Sequence, residues 1–480
     1  LDFALLIAQV CSMKRFFSRI FLLVIILTGH EALGEIRVGR GLVDISPPVG
    51  VSMAGAISQN YPVKLIHDPL HVRALLFSDG EKKVGFATVD NTMISDVIFD
   101  EAKKLIEAET GIPGAHLIIA ATHSHSTPRG VVGLVEEAAS EAYLKSLSVS
   151  IAEAFRIAND DLQAAAVGWT STEIPDHVFN RRWFVDESAQ ITNPFGDDGE
   201  VVRMNPGFTG LIKPAGPVDP ELSLLSIRNA AGAPIAVMGN YGLHYVGGNG
   251  PGEVSADYFA VFSEALKALP GADEQFLGLM SNGTSGDVNA VDFSSERMKW
   301  QRYENMERVG NDLASKAIPH LEKIEHQKVL EVDAAEVILK LGVRKPDAKR
   351  LAWAKANAAP ANSPIRLTRP QVYAKETLGL ASYPDLAEVR IQVIRIGEIA
   401  IVGIPCEVFA ETGLAIKSGS AFTATMVMEL ANGYHGYLPS AQQHRWGGYE
   451  TWAARSAYLE VNAEEKIRDA SIALLKTMSE

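Results

Sequence analysis

Cysteine is almost absent: the 480 residues contain two, Cys11 and Cys406. Cys11 falls in a segment that reads as removed from the mature chain. Cys406 then has no internal disulfide partner, so stability must come from the core or from a metal. Basic charge is also short, with 44 Lys and Arg against 58 Asp and Glu, a net charge of −14 and no basic run. This balance argues against nucleic acid or an anionic membrane surface as the main partner. No apolar run after residue 34 reaches the ~20 residues that a spanning helix needs. Internal repeats and low-complexity linkers are missing too, so composition offers no seam at which to divide the chain.

Hydrophobic residues make up 47% of the sequence, enough for a large core. Lys14, Arg15 and Arg19 precede an apolar stretch over 20–27, and Ala32-Leu33-Gly34 stands before Glu35. That is the pattern of a signal peptide starting at Met13, with residues 1–12 upstream of it. Residues 1–34 are therefore expected to be lost on export, to the periplasm or the medium, and 35–480 to form one catalytic domain.

Strand-like segments are expected over 36–45, 70–78, 84–89 and 117–121, with a helix over 95–109 stopped by Thr110-Gly111-Ile112-Pro113. The strand, helix, strand order points to an α/β fold, a mixed sheet flanked by helices. A long helix is expected over 136–159 and an irregular loop over 185–220. Paired strands follow over 222–227 and 234–239, then a helix over 255–269 and a strand over 276–280. Further along come helices at 304–317 and 347–359, a strand over 329–341, and a hairpin of 389–396 with 399–404. A strand over 425–430 and a closing helix over 463–477 complete the pattern.

Several of the strands end in chemistry-bearing residues. His123 and His125 follow the apolar run 117–121, and a two-residue side-chain period would turn both imidazoles the same way. His244, Asp287, Glu407 and Tyr437 stand just beyond other apolar strands, where α/β folds assemble their sites. Two imidazoles with a carboxylate are a common ligand set for catalytic Zn2+, which lowers the pKa of bound water to ~7. The implied chemistry is hydrolysis of a carbonyl or phosphoryl compound.

The landmarks together resemble the neutral (alkaline, non-lysosomal) ceramidase family, zinc amidases that cleave the N-acyl bond of sphingolipids. Val43-Asp44-Ile45-Ser46-Pro47, Met53-Ala54-Gly55, Thr122-His123-Ser124-His125-Ser126, Asn180-Arg181 and Asn240-Tyr241-Gly242-Leu243-His244 carry the likeness. Gly286-Asp287-Val288, residues 404–409, Asn432 to Tyr437 and Tyr449-Glu450 continue it in the same order. The resemblance implies zinc ligands His123, His244, Glu407 and Tyr437, with His125, Arg181 and Tyr449 facing the substrate amide. Asp287 and Asn289 complete the expected catalytic group, Asn289 standing where the family has a serine. Asparagine can hydrogen-bond a substrate but cannot act as a nucleophile. The family's C-terminal immunoglobulin-like domain is expected to be absent. The leading expectation is an exported zinc amidase acting on a small-molecule or lipid amide. An esterase or lactonase on the same site is the alternative, and a non-catalytic secreted binding protein is a third reading.

Overall fold

The computed structural model of the protein describes residues 34–53, 61–131, 138–296, 298–360 and 367–480. The expected leader lies outside these residues except for Gly34, and the landmark Met53-Ala54-Gly55 lies within them only at Met53. Among the described residues no helix is long and apolar enough to cross a membrane.

Two β-sheets stack face to face with helices on their outer sides. The larger has eight strands in the order Leu277–Asn282, Pro234–Tyr241, Glu221–Asn229, Gln163–Glu173, Arg37–Asp44, His71–Ser78, Lys83–Val89 and Leu117–Ala121. The smaller has four, Val332–Gly342, Leu386–Ile396, Ile399–Ile404 and Ala424–Glu429. Strand alternation sends side chains to opposite faces. Phe77, Phe86, Ile118, Ile394, Ile401 and Met426 therefore share the core between the sheets. Their neighbours Leu76, Ala87 and Ile119 pack instead under the helices Asp96–Thr110 and Ala138–Asp160. The helix Ala463–Ser479 covers the outer face of the smaller sheet through Ile467 and Leu475. Strands buried on both faces read as continuous apolar runs, which is how these segments stand out in the sequence.

Within the two sheets, three parallel strand pairs each close through a helical crossover: Lys83–Val89 with Leu117–Ala121, Pro234–Tyr241 with Leu277–Asn282, and Ile399–Ile404 with Ala424–Glu429. The carboxyl ends of these units meet. Ala121 donates its amide to Leu430, Asn432 to Ile119, and the Asn282 side chain to Glu429. Between the two edges of the larger sheet the last strand of the smaller one is thus wedged, and the loops beyond all three ends face one another.

One expectation is corrected and one strand is added. Residues 185–220 are not simply irregular, for Val202–Met204 and Leu211–Pro214 pair on either side of Arg182–Val185 in a three-stranded sheet. Gln163–Glu173, which the apolar pattern did not mark, is an 11-residue strand in register with Glu221–Asn229 from Ala165 to Glu173. Its Ala, Ser and Thr side chains give a weak hydropathy signal, and its neighbour supplies the ladder.

Candidate metal centre

His123 stands two residues beyond the Leu117–Ala121 strand and takes a left-handed backbone with φ of 74°. A non-glycine residue in that region stores strain, and such positions gather at functional sites. The loop after Lys83–Val89 holds it there. Asn91 accepts the His123 amide at 2.9 Å, and the Thr92 carbonyl accepts the Nδ1 proton at 2.6 Å. The two histidines of the motif do converge, but through this turn rather than through strand alternation.

His244 lies three residues past the end of Pro234–Tyr241 and gives its Nδ1 proton to the Ser285 carbonyl at 3.0 Å. A carbonyl can only accept, so both Nδ1 atoms carry hydrogen and both Nε2 atoms are bare in the neutral rings. These two Nε2 atoms lie 3.0 Å apart. Glu407 Oε2 is 3.3 Å from that of His123 and 3.9 Å from that of His244. Lone pairs so placed repel one another unless a cation sits among them. The burial that would lower the His123 pKa is outweighed by the Glu407 carboxylate, and it ends above its ordinary value.

His125 completes a group of three imidazoles whose ligand atoms all lie within 4.8 Å of one another. Its ring stacks on Tyr245 with centroids 3.9 Å apart, and neither of its nitrogens has a hydrogen-bond partner. Glu407 Oε2 is likewise buried without a partner. Orphaned polar atoms of this kind are costly unless something binds them. The donor set, its carbonyl-anchored Nδ1 atoms and its orphaned atoms all fit a bound metal ion. Burial, and then His123 and Arg181, hold His125 well below its ordinary pKa, and burial with Arg181 does the same for His244.

Glu407 is aligned by a short parallel ladder in which it is the register partner of Tyr437. Its Oε1 accepts from the Tyr434 hydroxyl at 3.0 Å. The Tyr437 ring centroid is 5.5 Å from the Arg181 guanidinium and 5.7 Å from the Tyr449 ring, so both expected tyrosines border the group. Arg181 spends Nε on Glu450 at 3.1 Å and Nη2 on the Gly286 carbonyl at 2.8 Å, leaving Nη1 3.1 Å from His244 Nε2. Glu450 is fully buried and also binds Arg182 Nη1 at 2.5 Å.

Asp287 and Asn289 lie one step back. The Asp287 oxygens accept from the Asn180 side chain at 2.7 Å and the Ala410 amide at 2.9 Å, while its carbonyl accepts the Arg181 amide. Burial pushes its carboxyl up to about 6. Asn289 donates to Asn205 at 2.9 Å and accepts from Val291. Both frame the loop that carries Arg181. Sequence reasoning passed over Tyr245, Tyr434, Glu450 and Glu429 as site residues, although all but Glu429 adjoin or lie inside the landmarks that led to the site. Glu429 ends an apolar strand, the same signal that marked His123 and Glu407.

No family model matches the sequence. The fold itself defines the class, a mixed α/β architecture of the neutral ceramidase kind. The neutral ceramidase of Pseudomonas aeruginosa matches with a TM-score of 0.68 over 93% of this chain and 75% of that one, at 18% identity. A ceramidase complexed with C2 matches with a TM-score of 0.69 over 93% and 76%, at 16% identity.

Proposed function

We propose that this chain is an exported zinc-dependent hydrolase that cleaves a linear amide bond in an N-acyl lipid or an N-acylated sugar or amine. One observation carries the reading: the bare Nε2 atoms of His123 and His244 converge on the unpartnered Oε2 of Glu407. His123, His244 and Glu407 would hold the ion, with Tyr437 as a fourth ligand. When bound, zinc supplies a Lewis acid for the amide carbonyl and brings water to a usable pKa. Residues 35–480 act as one catalytic domain in this reading, and the leader pattern supports export.

The chain's own groups do the rest. Glu450 holds Arg181 Nε and the Gly286 carbonyl holds Nη2, which leaves Nη1 turned into the site, 3.1 Å from His244 Nε2. That nitrogen and the Tyr449 hydroxyl donate to the carbonyl oxygen as negative charge develops on it. His125 is neutral at neutral pH and has both nitrogens open, so it can take up a proton and pass it to the leaving nitrogen. Tyr245 fixes the plane of that ring by stacking. Asp287 acts through Asn180 and the Arg181 amide to keep the guanidinium in place. Asn289, tied to Asn205, contributes polarity without a hydroxyl. Ceramide itself is supported by the fold likeness alone. An esterase or lactonase is the second reading, favoured by that missing hydroxyl.

Elemental analysis of the purified chain and its His123→Ala variant tests the proposal, followed by matched amide and ester substrates. About one zinc per chain, lost with the activity in the variant, is expected, with the amide turned over. A variant keeping both zinc and activity would overturn the reading, and turnover of the ester alone would select the second one.

A further inference from the structure

We propose that Glu429 is the positioning residue of the metal centre, its one carboxylate joining the loops that carry His244 and Glu407. The inference rests on the reading that those two side chains hold zinc. Glu429 is the last residue of the Ala424–Glu429 strand and is fully buried. Its Oε1 accepts from Ser285 Oγ at 2.6 Å and from Asn282 Nδ2 at 2.8 Å. Its Oε2 accepts from the Val408 amide at 2.8 Å and the Ser285 amide at 3.2 Å. Ser285 in turn offers its carbonyl to His244 Nδ1, and Val408 follows Glu407 directly. A single carboxyl group thus sets the ring plane of one ligand and the backbone of the other. It touches neither ligand atom. Partners of metal ligands of this kind change metal affinity by about 10–100-fold when removed.

The test uses the purified full chain and its Glu429→Gln variant. The amide is isosteric, but its NH2 confronts the Val408 and Ser285 amides in one orientation and Asn282 Nδ2 in the other. Chelator competition should show zinc bound about 10–100-fold more weakly. The absorption bands of the cobalt-substituted protein should shift while the far-UV circular dichroism stays as in wild type. Ser285→Ala, which removes the Oγ contacts to Glu429, Asn282 Nδ2 and His244 Nδ1 but keeps the Ser285 amide and carbonyl, should weaken zinc by a smaller factor. Wild-type affinity and an unchanged cobalt spectrum in Glu429→Gln would overturn the inference. If that variant does not fold, Ser285→Ala decides, and unaltered affinity there has the same force. A wild-type chain that binds no zinc would instead sink the zinc reading and this inference with it, so the two failures are distinguishable.

Discussion

His123 and His244 present their Nε2 atoms to each other across 3.0 Å, each ring fixed from behind by a backbone carbonyl. Two imidazole nitrogens facing each other at this distance are suited to share a cation, zinc in the proposed reading. The pair comes from loops 121 residues apart in sequence. Removing one ring should therefore empty the centre. In His244→Ala we expect zinc to fall from about one per chain to a trace and hydrolysis to fall with it, read by elemental analysis and substrate turnover. A variant that retains full zinc would place the ion elsewhere.

Arg181 should report on the developing oxyanion through kcat. In Arg181→Ala the loss of a donor to the developing oxyanion is expected to lower kcat by roughly 10²–10³ with little change in KM. An unchanged kcat would remove Arg181 from the reaction.

Glu450 is buried between Arg181 and Arg182, so Glu450→Gln leaves two buried guanidinium groups short of their counter-ion. Breaking a buried pair on one side costs roughly 3–5 kcal/mol. Denaturant unfolding should register a loss of that order, and a loss below 1 kcal/mol would mean that the pair is replaced by other contacts.

Lys103 is buried in the helix Asp96–Thr110 with its ammonium on Gln392 Oε1 at 3.0 Å, and burial lowers its pKa to about 7. Below pH 7 the folded and unfolded chains both carry the proton, and the penalty of burying it is felt in full. Between pH 7 and its ordinary value of 10.5 the folded chain releases a proton that the unfolded chain keeps, so stability from this group rises with pH. Lys103→Met should abolish that rise and stabilise the protein at pH 6 by on the order of 1–3 kcal/mol. Parallel stability curves for the two proteins across this range would contradict the assignment.

Gly286 passes so close to the Glu407 strand that a Cβ there would lie 2.5 Å from the Glu407 carbonyl oxygen and 3.0 Å from the Val408 carbonyl carbon. Both obstacles are backbone and cannot turn away. Gly286→Ala should weaken zinc and lower the unfolding midpoint together. Wild-type zinc affinity in a fully folded variant would show that the two segments separate freely.

Local physics made much of the chain legible. Apolar runs buried on both faces located the strands Lys83–Val89, Leu117–Ala121 and Ile399–Ile404 to within a residue. Gly111, left-handed at φ of 72°, ends the Asp96–Thr110 helix where the turn signal placed it. His123, His244 and Glu407, which follow the strands Leu117–Ala121, Pro234–Tyr241 and Ile399–Ile404, could be picked out because they carry metal-ligand chemistry at strand ends and fall in the family landmarks. What one sequence could not supply was contact between distant segments. Gln163–Glu173 becomes a strand because Glu221–Asn229 lies beside it, not because of its own composition. Tyr245 and Tyr434 matter only once the loops meet, and Glu429 reaches Ser285 across 144 residues. The sequence by itself determined which side chains stand at the ends of the strands, since periodicity and burial are local. Only the tertiary structure decided which of them come together in one cluster, because closing loops of that length depends on the packing of both sheets.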